Sequence, residues 1–329
     1  MVTIEQTYPT DSPPTLGKEC RFAARGEAFA ALQYFLEHEG VLYPHALSAE
    51  PNGSIRLYPE APGRYVLRVQ WRSVSHHTGW AETEFNFPAK KGSTPQRVRV
   101  NGRKLWVPTA WDAHLLGAHE HAVFRELRRL IARGSNVYDI GANIGLFSVR
   151  LAEWIGDEGW LYAIEPNPIC VYFLRANLSG ARARNFTILP VAVWDRPCNL
   201  AFSLNYGSSL IGAGGDLPSA RKPGHRIGVG GDRLDSLIMT LSLRPPDFIK
   251  LDVEGSEASA VAGMRETLET RRPSLMIELH GKDAASATLQ LLAPLGYRYL
   301  RPSTAAKYET ADALLDSLED ECVQVIGYP

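Results

Sequence analysis

The sequence predicts a two-part chain: an α/β unit of Rossmann-like type in the C-terminal two-thirds, preceded by an α+β or β-rich accessory unit. Three observations predict it. From about Gly134 short apolar runs alternate with helical stretches, the pattern of a mostly parallel sheet covered on both faces. A buried strand, Asn136–Ile140, runs into a glycine turn and then a helix. Before about residue 95 the apolar period shortens to two, as in half-buried strands.

The elements follow in order. Residues 1–18 carry Pro9, Pro13 and Pro14 and read as a loose arm. Phe22 to His38 places Phe29, Leu32, Tyr34, Phe35 and Leu36 at roughly helical spacing, and Gly40 would end that helix. Ser54–Tyr58, Tyr65–Trp71, Thr83–Phe87 and Gln96–Val100 read as strands. Pro62-Gly63 is a turn between the first two, and Asn101-Gly102 is a hairpin turn. Residues 1–95 are expected to form the arm and accessory unit, and residues 96–329 the α/β domain. In that domain the expected strands are Asn136–Ile140, Trp160–Ile164, Phe186–Val193, Asp247–Leu251, Ser274–Leu279, Tyr297–Leu300 and Cys322–Ile326. The expected helices are Gly145–Trp154, Ile169–Ser179, Gly255–Ala262 running on to Thr270, and Ala284–Leu292. The last strand suits an antiparallel edge.

Composition narrows the function classes. Hydrophobic residues make up 45% of the chain and charged residues 22%, which suits a globular enzyme and not a disordered chain. The formal net charge of -1 offers no global field for nucleic acid or anionic membrane, so neither is expected as a partner. Arg125, Arg128, Arg129 and Arg133 form a local basic run, read either as a solvated helix face or as a binding patch. Cys20, Cys170, Cys198 and Cys322 form no C-x-x-C pair, so reduced thiols are expected. There is no basic segment followed by an apolar stretch at the start, and no uncharged run of membrane-spanning length; a cytoplasmic location is the expectation.

The chemistry gathers at the tips of the strands. In Val137-Tyr138-Asp139-Ile140-Gly141-Ala142-Asn143-Ile144-Gly145-Leu146-Phe147-Ser148, the two glycines allow a tight turn and close backbone approach to a ligand. Asp139 could receive the amino group of an amino-acid-like ligand. The dinucleotide fingerprint G-x-G-x-x-G is broken by Asn143 and Leu146, which weighs against a nicotinamide cofactor. The second strand ends in Glu165-Pro166-Asn167, where a carboxylate can hold two ribose hydroxyls. Lys250 lies inside an apolar strand and needs a partner, which Asp252, Glu254 or Glu278 could provide. Asp252, at that strand's tip, could orient an acceptor or bind a metal; Glu257 suits a helix-capping carboxylate equally well. Glu278 and His280 share one face of the next strand. His280 is the preferred general base, against a purely structural role.

Taken together these blocks resemble the FkbM-type methyltransferases. The resemblance runs from about Gln96 onward and is carried by Asp139-Ile140-Gly141-Ala142-Asn143-Ile144-Gly145, Glu165-Pro166-Asn167, Arg233-Leu234-Asp235-Ser236-Leu237, Ile249-Lys250-Leu251-Asp252-Val253-Glu254-Gly255-Ser256-Glu257 and Ile277-Glu278. It implies a class I methyltransferase fold with a seven-stranded sheet. It also implies S-adenosylmethionine as methyl donor and O-methylation of sugars, glycans or natural products. Asp139, Gly141, Asn143 and Gly145 would surround the methionine part of that donor, with Phe147 beside them. Glu165 would bind the ribose, and Asn167 and the Val191-Ala192-Val193 tip would flank the adenine; Pro166, Ala192 and Asp252 are counted among the donor-binding residues. Asp252, Glu278 and His280 form the expected catalytic set. They could also bind a divalent metal, although none is expected as a resident group. An N- or peptide methyltransferase and a non-catalytic cofactor-binding module are the alternatives. The Gly-rich stretch Asn205–Asp232 reads as an acceptor-side lid or as a surface loop. Trp71, Trp80, Phe85 and Phe87 read as an aromatic stacking platform or as sheet core.

Overall fold

The computed structural model describes residues 2–8, 20–25, 29–38, 41–42, 54–57, 63–75, 78–87, 96–100, 103–107, 121–203, 211–213, 226–319 and 322–329.

Apart from Val2 and the turn residues Val74 and Ser75, the described part of the first 107 residues is strand. β1 (Thr3–Tyr8), β2 (Cys20–Arg25) and β5 (Ser54–Leu57) form one antiparallel sheet in the order β1-β2-β5. β3 (Phe29–His38), β4 (Val41–Leu42), β6 (Gly63–Ser73) and β7 (Thr78–Phe87) form a second in the order β4-β3-β6-β7. The helix expected over Phe22–His38 is therefore two strands. The register explains why the shorter period wins: Leu36 lies opposite Leu67 and Tyr34 opposite Val69, and Leu67 and Val69 are fully buried. Aromatic and β-branched residues gain more from such cross-strand packing than from a helix, so tertiary context overrides the apolar spacing. Likewise, residues 3–8 of the expected arm pair with β2 as a strand. β8 (Gln96–Val100) and β9 (Arg103–Val107) form an antiparallel hairpin with Val100 opposite Arg103. Among the described residues no helix is long and apolar enough to cross a membrane.

α1 (His121–Leu130) leads into the large sheet. Its strands are β10 (Asn136–Ile140), β11 (Trp160–Ile164), β12 (Phe186–Leu189), β17 (Phe248–Leu251), β18 (Ser274–His280), β19 (Arg298–Arg301), β20 (Ala306–Tyr308) and β21 (Cys322–Tyr328). They stand in the order β12-β11-β10-β17-β18-β21-β19-β20. β12 to β18 pair in parallel, and β21 is antiparallel to both of its neighbours. This is the class I methyltransferase fold. β20 adds an eighth strand to the seven expected, and the last strand lies inside the sheet where an edge was expected. The run Phe186–Val193 divides at Pro190, which has no N–H for a ladder. Beyond it β13 (Ala192–Val193) joins β14 (Cys198–Ser203), β15 (Ile211–Ala213) and β16 (Arg226–Asp232) in a separate four-stranded sheet.

Strand alternation sorts the core into two layers. Tyr138, Ile140, Ile249, Leu251, Leu275 and Ile277 face α4 (Leu234–Thr240), α5 (Glu257–Gly263), α6 (Arg265–Arg271), α7 (Lys282–Leu292) and α8 (Ala311–Asp316). Val137, Phe248, Met276 and Ile326 face α1, α2 (Leu146–Ile155) and α3 (Pro168–Gly180). Two polar side chains lock these layers. Asp235 of α4 accepts from the backbone N–H groups of Glu266 and Thr267, capping α6. The buried Asn177 of α3 donates to the Ile144 and Trp106 carbonyls and accepts from the Trp106 N–H at 2.6 Å, tying hairpin and glycine turn together. Arg125, Arg128, Arg129 and Arg133 are solvent-exposed, and Glu126 pairs with Arg129 at 2.8 Å.

Candidate active site

The carboxyl ends of β10, β11, β17 and β18 converge, so residues far apart in sequence become neighbours. β10 leaves the sheet at Gly141, whose φ of 76° is in the left-handed region. A Cβ there would lie 1.7 Å from the Asp252 carbonyl oxygen, so only glycine lets the two strand ends pass. The turn continues through Asn143, also left-handed at φ 51°, to Gly145 at the start of α2.

Beneath this turn lies a buried charge network. Asp139 and Lys250 are cross-strand neighbours on the face that meets α2. Asp139 is fully buried, takes the Ser148 hydroxyl at 2.6 Å and stands 3.3 Å from the Lys250 ammonium. Lys250 also donates to the Gly141 carbonyl at 2.9 Å, pairs with Asp252 at 3.1 Å and lies 5.1 Å above the Phe147 ring. Burial would lower its pKa, but Asp252 and Asp139 outweigh that and raise it, so it carries its charge. Of the partners expected for Lys250, Asp252 is the one in contact; Asp139 is the second. Asp139 and Phe147 thus form the underlayer of the turn, sealed from solvent.

Glu165 ends β11 beside the turn. Its Oε2 accepts the Asn143 N–H at 2.8 Å and its Oε1 the Asn167 N–H at 2.7 Å. It is 6% exposed, and burial lifts its carboxyl from 4.5 to about 7 against the opposing pull of those two N–H groups. A carboxylate has about four lone-pair sites, so two remain for further donors. Pro166 and Asn167 are buried behind it. Ala192 lies in the smaller sheet, packed with Ile144, Cys170 and Trp194.

The mouth is acidic. His280, at the tip of β18, has Nδ1 3.0 Å from Glu257 Oε1. Its Nε2 stands 3.4 Å from Glu254, 3.8 Å from Asp252 and 3.9 Å from Glu278. Burial alone would lower its pKa, but hydrogen bonds to Cys322 and Glu257 and the Glu257 charge raise it to about 11. In this arrangement His280 is an imidazolium near neutrality and has no lone pair with which to take a proton. Glu254 is the group tuned to that range: burial, then the nearby Asp252 charge, raises it to about 7. Glu278 accepts from Gln324 at 2.9 Å and from the Cys322 thiol at 3.1 Å. Glu257 is fully buried and accepts the Gly255 N–H, so it braces the loop and His280. The donor atoms of Asp252, Glu254 and His280 lie within 4.8 Å of one another and could hold a cation if the imidazole gave up its proton.

The sequence reading missed Glu254 as a site residue. Its positive φ of 54°, which turns the loop toward β18, has no signature in the residue type. Most of the expected lid, and the side chains of Trp80, Phe85 and Phe87, lie outside the described residues.

Residues 139–299 match the family model of the methyltransferase FkbM domain. The chain carries an FkbM methyltransferase domain. The match contains the glycine turn, Glu165, the acidic mouth and β18. Among solved structures, a methyltransferase FkbM from Methylobacillus flagellatus is 20% identical, covering 59% of this chain and 43% of that one, with a TM-score of 0.39. This chain therefore spans less than half of that protein. Precorrin-6y C5,15-methyltransferase from Geobacter metallireducens is 15% identical over 66% of this chain and 91% of that one, TM-score 0.39. Aeropyrum pernix fibrillarin, solved with natively bound S-adenosyl-L-methionine, is 12% identical over 79% and 93%, TM-score 0.37. No curated protein matches the chain.

Proposed function

We propose that this FkbM domain uses S-adenosylmethionine to methylate a hydroxyl on a sugar, glycan or natural product. Glu165 carries the reading: a buried carboxylate, anchored by two backbone N–H groups, keeps two lone pairs beside a glycine turn. That donor set fits the paired hydroxyls of a ribose. When bound, the cofactor supplies a methyl group already activated on a sulfonium. The protein's task is then to align acceptor and donor and to remove one proton. Lys250 holds the Gly141 carbonyl and Asp252 in fixed relation, which sets the floor between donor and acceptor. Glu254 takes the hydroxyl proton, its pKa of about 7 being matched to the work. His280, charged and braced by Glu257, holds the surrounding carboxylates in place as a positioning residue.

A nitrogen acceptor is the second reading. The carboxylates of Asp252, Glu254 and Glu278 at the mouth would attract a protonated amine. Calorimetric titration with S-adenosylmethionine and S-adenosylhomocysteine, with NAD as control and Glu165→Ala alongside, tests the cofactor. Methyl transfer to paired hydroxyl and amine acceptors then separates the two readings. NAD binding in place of the two sulfur ligands would overturn the proposal.

A further inference from the structure

A second concavity, of about 570 Å³, opens between the β8–β9 hairpin, the end of α2 and the loop from α3 to β12. That volume is of small-ligand size. It lies at the other end of the sheet from the crevice. Gly156 and Asp157 in its wall precede β11 and Asn185 precedes β12, whereas Glu165 follows β11. Five strand residues at about 3.3 Å each separate the two sites by roughly 16 Å along β11.

Its lining is strongly cationic. Arg97, Arg99, Arg103, Lys104, Arg182 and Arg184 face two acids, Glu153 and Asp157, leaving a formal charge of +4. Glu153 is already taken up by ion pairs with Arg103 and Arg150. The hairpin makes the excess more pointed. Its register sets Arg99 directly opposite Lys104, and Arg97 opposite Trp106, on one face of the ladder. Like charges directly opposed weaken a strand pair. The other face buries Leu105 and Val107, and Asn177 grips the Trp106 backbone, so the hairpin cannot turn this charge away. The Arg97 guanidinium is propped 5.4 Å over the Trp106 ring. A polyanion lying between these cations would convert their mutual repulsion into attraction.

We propose that this groove binds a small molecule bearing two or more linked phosphates, independently of the methyl-transfer crevice. Guanidinium forks match phosphate oxygens bidentately. Cations stand on two walls, the hairpin and the Arg182–Arg184 loop, which favours a diphosphate over a single phosphate.

The test is calorimetric titration of the full chain with inorganic pyrophosphate, with inorganic phosphate alongside, at about 50 and 200 mM salt. The expected result is micromolar pyrophosphate binding, about tenfold or more tighter than phosphate and weakened by salt. It should be lost in Arg99→Ala/Lys104→Ala, two exposed positions on the hairpin, in a variant that still melts cooperatively. S-adenosylmethionine affinity, measured on the same double variant, is expected to stay unchanged. Absence of pyrophosphate binding at millimolar concentration, or binding that survives in the double variant, overturns the proposal. So does a single-stranded oligonucleotide that binds the groove and that pyrophosphate cannot displace.

Discussion

Replacing Glu165 by glutamine should weaken cofactor binding strongly while leaving the unliganded protein nearly as stable. Two costs and one relief set the balance. Both carboxylate oxygens accept a backbone N–H. Glutamine offers one oxygen and turns an NH2 toward the other donor, a loss of about 2 kcal/mol. Against this, burying the charge raises the carboxyl from 4.5 to about 7, a penalty of roughly 3 kcal/mol at high pH that the neutral amide escapes. The folded-state value lies above the ordinary one. Glu165 therefore favours folding fully below about pH 4.5, and that contribution fades as pH rises through about 7. Cofactor binding runs the opposite way, because ribose hydroxyls donate to the ionised form. Exchanging two charge-assisted hydrogen bonds for at most one neutral bond costs about 2–3 kcal/mol, or roughly 30- to 150-fold in affinity. In the wild type, affinity should fall about tenfold per pH unit below 7, as the competent ionised fraction shrinks. Calorimetry from about pH 5.5 to 8, with thermal melts of both proteins, measures all of this. A flat wild-type profile, or unchanged affinity in Glu165→Gln, would refute the reasoning.

Lys250→Met should destabilise by about 3–5 kcal/mol, because it leaves Asp139 fully buried without its cation; urea unfolding measures it, and Asp139→Asn should partly restore the loss. Gly141→Ala should abolish cofactor binding and lower the melting temperature, since its Cβ meets the Asp252 carbonyl at 1.7 Å; binding and melting curves that match the wild type would contradict so close a crossing of the two strand ends. Asn177→Ala should cost about 3 kcal/mol from three lost bonds in a buried setting, and proteolysis should show the β8–β9 hairpin loosened before the sheet. Glu254→Gln should lower kcat about 100-fold or more with cofactor affinity unchanged, whereas a purely electrostatic role at the mouth would appear in the acceptor KM instead.

The α/β half was legible because its signals are local. β10, β11, β17 and β18 are short apolar runs that each lead into a glycine or an acid, and they pair with one another in parallel as that pattern requires. The N-terminal half was harder. Phe29–His38 fits a helix by spacing, and only its long-range register with β6 decides for a strand. The run Phe186–Val193 reads as one strand, yet it breaks at Pro190, and nothing in it tells that Ala192 belongs to another sheet. At the site, Gly141, Glu165 and Asp252 were recognisable from their place at strand tips. The electrostatics were not. Whether His280 is a base or a cation depends on four carboxylates brought from the β17–α5 loop, α5 and β18 itself, and no linear spacing reports that encounter.

The interior position of β21 has a consequence for how the domain is made. β18 obtains its first partner, β17, from the segment just before it, but its second arrives only after about 40 further residues. Until then Ser274–His280, an apolar and β-prone stretch, presents an open ladder edge. β19 and β20 cannot cover it, because they reach the sheet only through β21. The window for aggregation during synthesis is thus concentrated on one ladder. Substitutions that weaken Val323, Val325 or Ile326, buried at the β18–β21 seam, should reduce soluble yield more than they reduce the stability of protein already folded.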